Sequence, residues 1–423
     1  MPSKKIKKLV KPLRAPTPAD GKFHPITSVY AASSLSKALK SGRITEDDKS
    51  LIEKHVAWLG RGNISIGRLN KITFHLVGAR RFLGAFRDNT IDDLIGGINY
   101  LKNDEILTRA ARGKTPHPFK QNTKRDFVSI VKKFYLWMVK NNYSSISKDD
   151  IEDIKVPPDD TMTKTAAQMF SEEDIFAMIS ACETSMERAM IATLYEGALR
   201  IMELGTLTWG QVSFTETNAV INVNVKTKKP RRIPLYSAKP YLAAWKADCP
   251  YEIDTNSLVF VNTLHHNFNH ATITKRIRTI AKRAGITKKI TAHIFRHSRI
   301  THLQRQGVKE QTIKTIAWAN QKTKMMATYS HLCDADVDKE LAATYGITDI
   351  HASESHVMNP SQCTHCGNVN SPTARFCGAC GLPLTPEAAL TTEQLATEIE
   401  NTPLYKQLIE DIQKKILGKA GVV

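Results

Sequence analysis

Gly-Ala-Leu-Arg-Ile-Met-Glu-Leu at residues 197–204 and Ile-Asn-Val-Asn-Val-Lys-Thr-Lys-Lys-Pro-Arg-Arg-Ile-Pro-Leu at 221–235 decide how the second half of this chain folds. In the first stretch a helix ends at Gly197 and another begins after Arg200, with Ile201, Leu204 and Leu207 spaced as its buried stripe. In the second, Ile221, Val223 and Val225 alternate with Asn222 and Asn224, which is the period of a strand. Arg231 to Leu235 reads as the return strand. Lys226, Lys228, Lys229 and Pro230 fill the turn between them. Around this hairpin the pattern is helical, from Ser171-Glu-Glu-Asp (a serine N-cap with an acidic first turn) to about residue 345. Residues 171–348 therefore read as one mixed α+β unit.

Three further motifs follow in order: His293-Ile-Phe-Arg296-His297-Ser298, Trp318 in Ile-Ala-Trp-Ala-Asn, and Tyr329 in Tyr-Ser-His-Leu. On a helix His293 and Arg296 share a face, and His297 points to a neighbouring direction as the secondary candidate. Two arginines and one or two histidines suffice to hold one phosphodiester, because a guanidinium bonds two oxygens at once. Donors fixed in place stabilise the charge that builds up in a pentacovalent transition state. A tyrosine behind them is a nucleophile, provided cations or proton loss during attack activate a phenol of pKa near ~10. A lysine at the tip of a hairpin is placed to act as general acid for a leaving hydroxyl. Each motif alone carries little; their joint order carries the reading.

That order and the flanking residues resemble the tyrosine recombinases, the Xer-like and phage-type integrases, over roughly residues 50 to 345. The resemblance implies a helical, SAM-like core-binding domain that clamps double-stranded DNA, followed by a mixed α+β DNA breaking–rejoining catalytic domain. It implies site-specific recombination through a 3′-phosphotyrosine, without a catalytic metal, cofactor or ATP, by four protomers on two paired sites. The catalytic set it implies is Arg200, Lys226, His293, Arg296, Trp318 and Tyr329, with Glu203 as a brace. The sequence departs from the family pattern twice. Val225 replaces the usual glycine before the lysine, which leaves Lys228 beside Lys226 as general acid. Ala-Trp-Ala-Asn replaces Leu-Gly-His, so either Trp318 or Asn320, nine residues before Tyr329, fills the second histidine position. A type IB topoisomerase-like enzyme and a DNA-binding protein with a decayed catalytic set are the alternative readings.

Composition agrees with a polyanionic partner. The 423 residues carry a formal net charge of +19, and each phosphate neutralised by Lys or Arg releases condensed counterions. No run approaches the ~18 apolar residues that would span a bilayer, so a membrane partner is not expected. Residues 1–46 read as a basic N-terminal arm, with Lys4, Lys5, Lys7, Lys8 and Lys11 ahead of Pro12, Pro16 and Pro18. Residues 47–155 read as all-helical: Ile66, Leu69, Ile72, Leu76 and Leu83 on one stretch, Thr90 capping the next, then Phe127, Ile130, Val131, Phe134 and Met138. Arg68, Lys71, Arg80, Arg81, Lys124, Arg125, Lys132 and Lys133 give these helices basic faces. Pro157-Pro158-Asp-Asp opens a linker over 156–170.

Seven cysteines divide unevenly. Cys182, Cys249 and Cys333 are scattered, as fits a reducing cytoplasm, where a DNA partner would make the protein nucleoid-associated. Cys363-Thr-His-Cys366-Gly and Cys377-Gly-Ala-Cys380-Gly are two matching knuckles that aim four thiolates at one structural Zn²⁺. This defines a zinc ribbon over 360–385, followed by an amphipathic helical tail at 386–423 carrying Leu395, Ile399, Leu404, Leu408, Ile412 and Ile416. The fold class is thus multidomain and mainly α.

Overall fold

The computed structural model describes residues 13–14, 23, 28–108, 115–160, 168–223, 230–262, 266–323, 326 and 357–420. They fall into two compact units, Pro25–Thr163 and the combination of Met1–His24 with Lys164–Val423.

Pro25–Thr163 is a helical bundle. Its helices are α1 (Val29–Lys40), α2 (Glu46–Gly60), α3 (Ile66–Ala79), α4 (Ile91–Lys102), α5 (Gln121–Lys140) and α6 (Lys148–Glu152). Thr45 with Asp48, and Thr90 with Asp93, form reciprocal capping boxes that satisfy the first backbone N–H groups of α2 and α4. Leu51, Ile52, Leu76, Phe86, Leu94, Phe134 and Tyr135 fill the core. Helix α1 lies where the sequence suggests a basic arm. It buries Leu35 and Ala38, but Ser33, Ser34 and Ser36 dilute its apolar spacing and hide it from a periodicity reading. The basic faces also differ from expectation, because several of those cations fasten the bundle to itself. Lys71 pairs with Asp126 at 2.5 Å, Arg80 with buried Asp48 at 2.8 Å and Lys124 with Asp104 at 2.6 Å. Lys132 donates to the Glu152 and Ile154 carbonyls at 2.5 and 2.9 Å. Among the described residues, Arg68 and Lys133 make no ion pair.

The other unit begins with β1 (Leu13–Arg14), which pairs in parallel with β5 (Tyr251–Glu252). Ser171 and Asp174 form the capping box of α7 (Glu172–Ser180), and α8 (Ser185–Glu196) runs through the centre with Ala189, Met190, Ile191, Leu194 and Tyr195 buried. After the short α9 (Ile201–Gly205) comes an antiparallel sheet of β2 (Val212–Phe214), β3 (Ala219–Val223) and β4 (Arg231–Leu235), in the order β2-β3-β4. Ile221 stands opposite Ile233, as the alternation requires. Helices α10 (Lys239–Ala247), α11 (His270–Arg283), α12 (Ala292–Arg305) and α13 (Glu310–Trp318) complete the mixed layer. Phe23, from the N-terminal segment, is buried here against Gly205, where any Cβ would stand 2.0 Å from its ring. A second cluster of Met169, Ala198, Ile300, Leu303, Ile313, Ala317 and Met326 joins α12 to α13.

The C-terminal part carries a two-stranded ribbon, β6 (Ser361–Gln362) with β7 (Val369–Asn370), then α14 (Pro386–Glu400) and α15 (Pro403–Ala420). The buried Glu196 carboxylate accepts from the N–H groups of Tyr236, Ser237 and Ala238 at 2.7, 3.1 and 2.7 Å, which fixes the turn into α10. The ribbon is moored to that same turn: Ser237 Oγ donates to the Met358 carbonyl at 2.7 Å, and the Tyr241 and Thr373 hydroxyls meet at 2.7 Å. No helix among the described residues is long and apolar enough to cross a membrane.

Two adjacent glycines of α4 test the bundle's packing with opposite signs. A Cβ at Gly97 would lie 2.2 Å from the Phe82 carbonyl oxygen, whereas one at Gly96 meets nothing within 4 Å. Gly96→Ala is expected to stabilise by about 0.5–1 kcal/mol through helix propensity alone. Gly97→Ala should instead destabilise by about 1–3 kcal/mol, because a backbone oxygen has nowhere to move. Urea denaturation of both variants reads the difference, and a shift of the same sign in both would refute the close packing of α4.

Candidate active site and zinc centre

Helix α8 ends at Gly197, and the next residue, Ala198, takes a left-handed backbone with φ +45°. This turn aims the Ala198 carbonyl at α12 and leaves Arg200 extended as the N-cap of α9. Arg200 is held by Glu203 one turn on: its backbone N–H donates to Oε2 at 2.8 Å and its Nη1 to Oε1 at 2.7 Å. The Glu203 carboxylate is fully buried, while about a quarter of the Arg200 side chain reaches solvent. An exposed guanidinium face on a buried brace suits an anion-binding group.

Glu203 has a second cation. Arg231, 3% exposed, pairs with its Oε2. Burial pulls the Arg231 pKa below the usual guanidinium value, and the Glu203 charge opposes that pull. Arg231 also donates from Nη1 to the carbonyls of Ile316 and Ala317, at 2.7 and 2.6 Å, at the C-terminal end of α13. Cations complement that end of a helix dipole. Sequence reading assigns Arg231 only to a return strand. The available signal was its register, since Arg231, Ile233 and Leu235 share the buried face of β4.

Arg296 closes the ring. It is 4% exposed, donates from Nη1 to the Ala198 carbonyl and from Nη2 to the Ala317 carbonyl, both at 2.6 Å, and lies 5.1 Å from the Trp318 ring centre. A continuous circuit thus runs from Arg200 through Glu203, Arg231, Ala317 and Arg296 to Ala198, two residues before Arg200. It joins three of the candidate residues, Arg200, Arg296 and half-buried Trp318. His293 is exposed on the first turn of α12, and His297 is half-buried on the same helix. Asn320 is exposed and follows Ala319, a second left-handed alanine with φ +49° that ends α13. Lys226, Lys228 and Tyr329 lie outside the described residues.

The four knuckle cysteines converge. Their sulfurs all lie within 4.8 Å of one another, with Cys363 to Cys380 and Cys366 to Cys377 each at 3.6 Å. Disulfide sulfurs would sit at about 2.05 Å. Thiolates about 2.3 Å from a tetrahedral zinc are separated by roughly 3.8 Å, which these distances match. Gly367 and Gly381, at φ +71° and +75°, supply the left-handed turn that follows each knuckle. Backbone N–H groups of Cys380 and Ala379 hold the Cys377 thiol at about 5, and those of Cys366 and His365 lower Cys363 likewise. The set fits a closed structural Zn²⁺ site with no position left for substrate.

Residues 168–335 match the phage integrase family and residues 362–384 a zinc-ribbon domain. The chain is 25% identical to the tyrosine recombinase XerD of Pseudomonas putida over 55% of its own length and 76% of that protein. It is 28% identical to transposase A of transposon Tn554 from Staphylococcus aureus over 42% of its length, and spans about half (52%) of that relative. In fold it is similar to a lambda integrase dimer bound to a COC′ core site, with TM-score 0.52 and 13% identity over 66% of this chain and 76% of the other. A second lambda integrase structure, bound to DNA, gives TM-score 0.50 and 11% identity over 68% and 96%.

Two measurements test these centres. Arg231→Met leaves Glu203 short of a buried partner and should cost about 3–5 kcal/mol of stability. A loss below ~1 kcal/mol in denaturation would remove Arg231 from the circuit. Metal analysis should find about one zinc per chain, lost in Cys377→Ala; a metal-free chain with an intact ribbon would exclude the zinc site. The integrase-family domain, the relatives and the two built centres lead to one conclusion: this is a DNA breaking–rejoining enzyme of site-specific recombination, similar to the tyrosine recombinases, with a phage-integrase domain at residues 168–335 and a structural zinc ribbon at 362–384.

Proposed function

We propose that Tyr329 is the nucleophile of this recombinase, attacking a DNA phosphodiester to form a 3′-phosphotyrosine and release a 5′ hydroxyl. The observation that carries this reading is the circuit that places Arg200 and Arg296 on one carboxylate–carbonyl frame. Arg200 offers its exposed edge to a phosphate oxygen, Arg296 sets the positive charge behind it, and His293 adds a donor from the first turn of α12. Lys226 protonates the leaving 5′ oxygen from the β3–β4 turn, with Lys228 as its alternate. Trp318 packs against Arg296, and Asn320, following left-handed Ala319, stands where Leu-Gly-His members carry histidine. The covalent link retains the energy of the broken bond, so rejoining by an incoming 5′ hydroxyl requires no ATP.

In this reading residues 47–155 clamp the duplex, 156–170 link the clamp to the catalytic domain at 171–348, and four protomers act on two paired sites at the nucleoid. The lambda integrase structures named above are of a dimer on a core site and of the enzyme on DNA, which supports a duplex partner.

A nicked suicide duplex tests the chemistry, because loss of the cleaved fragment traps the adduct. Wild-type protein should form a covalent species on denaturing gels, and Tyr329→Phe should bind the duplex without forming it. Arg200→Ala is expected to slow adduct formation about 10²–10³-fold, the scale for one lost transition-state donor. An adduct formed by Tyr329→Phe would assign the nucleophile elsewhere. Recombination between paired sites separates this enzyme from one that only relaxes supercoils.

A further inference from the structure

The helical bundle contains an open cavity of about 590 Å³ between α2, α3 and α5. Its floor is apolar and aromatic, with His55, Ile72, Ile130 and Trp137, and Trp58 and Ile64 stand exposed at its mouth. Arg68, Lys133 and Lys140 ring it, and no carboxylate lines it. Two polar atoms in its wall, His55 Nδ1 and Trp137 Nε1, are buried without a hydrogen-bond partner among the described residues. Burial pulls the His55 pKa down to about 4, so its imidazole is neutral at physiological pH and adds no charge to the cavity. Apolar surface and a cationic rim together specify an amphipathic, acidic occupant.

Such an element exists on the same polypeptide. Helix α14 carries Glu387, Glu393, Glu398 and Glu400 and no Lys or Arg, in a chain of net charge +19. Leu395 and Ile399, one turn apart, are 52% and 55% exposed, and Glu398 flanks them. The ribbon before it holds a single Lys or Arg, Arg375, between 357 and 385, so the ribbon and α14 are poorly suited to DNA phosphates. We propose that α14 of one copy docks through Leu395 and Ile399 into the α2–α3–α5 groove of a second copy, with its glutamates facing Arg68, Lys133 and Lys140. The apolar pair supplies the burial, and the charges set partner and orientation. The joint is heterologous, so it forms rings or extends chains instead of stopping at a two-fold pair.

Sedimentation velocity of the full zinc-loaded chain without DNA tests this. Concentration-dependent association is expected, weakened at least tenfold by Leu395→Glu with Ile399→Glu in α14, and equally by Lys133→Glu with Lys140→Glu in the groove. Zinc content and circular dichroism identify any variant that fails to fold. The decisive arm mixes the two variants: one retains its groove and the other its tail, so together they should form dimers and nothing larger. Three outcomes overturn the proposal: a monomeric parent at all concentrations, a mixture that stays monomeric, or a groove variant that associates like the parent. In the last case, loss of DNA affinity by that variant would give the groove to nucleic acid.

Discussion

The structure turns on one buried carboxylate. Glu203 has no exposed side-chain surface, and a charge so placed is tolerated only with full pairing. Arg200 and Arg231 provide it from two elements, and Arg231 and Arg296 extend the restraint through a shared carbonyl at Ala317. The charge balance suits the chemistry. Three guanidinium groups set against one carboxylate leave two positive charges, about the charge a phosphodiester acquires on its way to a pentacovalent transition state. Without Glu203, the cations would repel one another; with more carboxylates, the site would repel its substrate. Fixing the donors in advance also removes reorganisation from the chemical step.

The legible parts of the sequence were local. Thr90 and Ser171 are legible as N-caps ahead of helical runs, and both head capping boxes, with Asp93 and Asp174 as the reciprocal acids. The hairpin follows from alternation, and the convergence of Cys363, Cys366, Cys377 and Cys380 from paired knuckles. What escaped was long-range. Lys71 and Asp126 are 55 positions apart, and nothing near either announces that the lysine serves the bundle and not a ligand. Arg231 escaped for a related reason: in a basic turn it resembles its neighbours, and only the strand register shows that it points inward beside Ile233.

The ribbon's attachment bears on how rigid the catalytic unit is. Met358 lies in the main core and its carbonyl accepts from Ser237, whose own N–H donates to Glu196. Glu196 ends α8, four residues before Arg200. The turn that presents Arg200 therefore shares its supports with the mooring of the zinc domain. A small zinc-bound module gains order from metal coordination that its short strands alone would not provide. Its mooring transfers that order to the α8–α10 corner.

Backbone strain sits beside the same residues. Ala198 and Ala319 both adopt left-handed angles, at a cost of roughly 1–2 kcal/mol for a residue with a Cβ. The carbonyls of Ala198 itself and of Ala317, two residues before Ala319, are the two that Arg296 grips. Hydrogen bonds from a charged donor contribute about 1.5–3 kcal/mol each, enough to hold the turns against their strain. Glycine would adopt either turn without this help, but would leave the unfolded chain more freedom. Arg296 helps hold both alanine turns, so the geometry that presents Arg200, Trp318 and Asn320 is tied to the residue proposed to set charge behind the phosphate. Loss of Arg296 should consequently disturb both sides of the site at once, a coupling that a glycine-bearing site would lack.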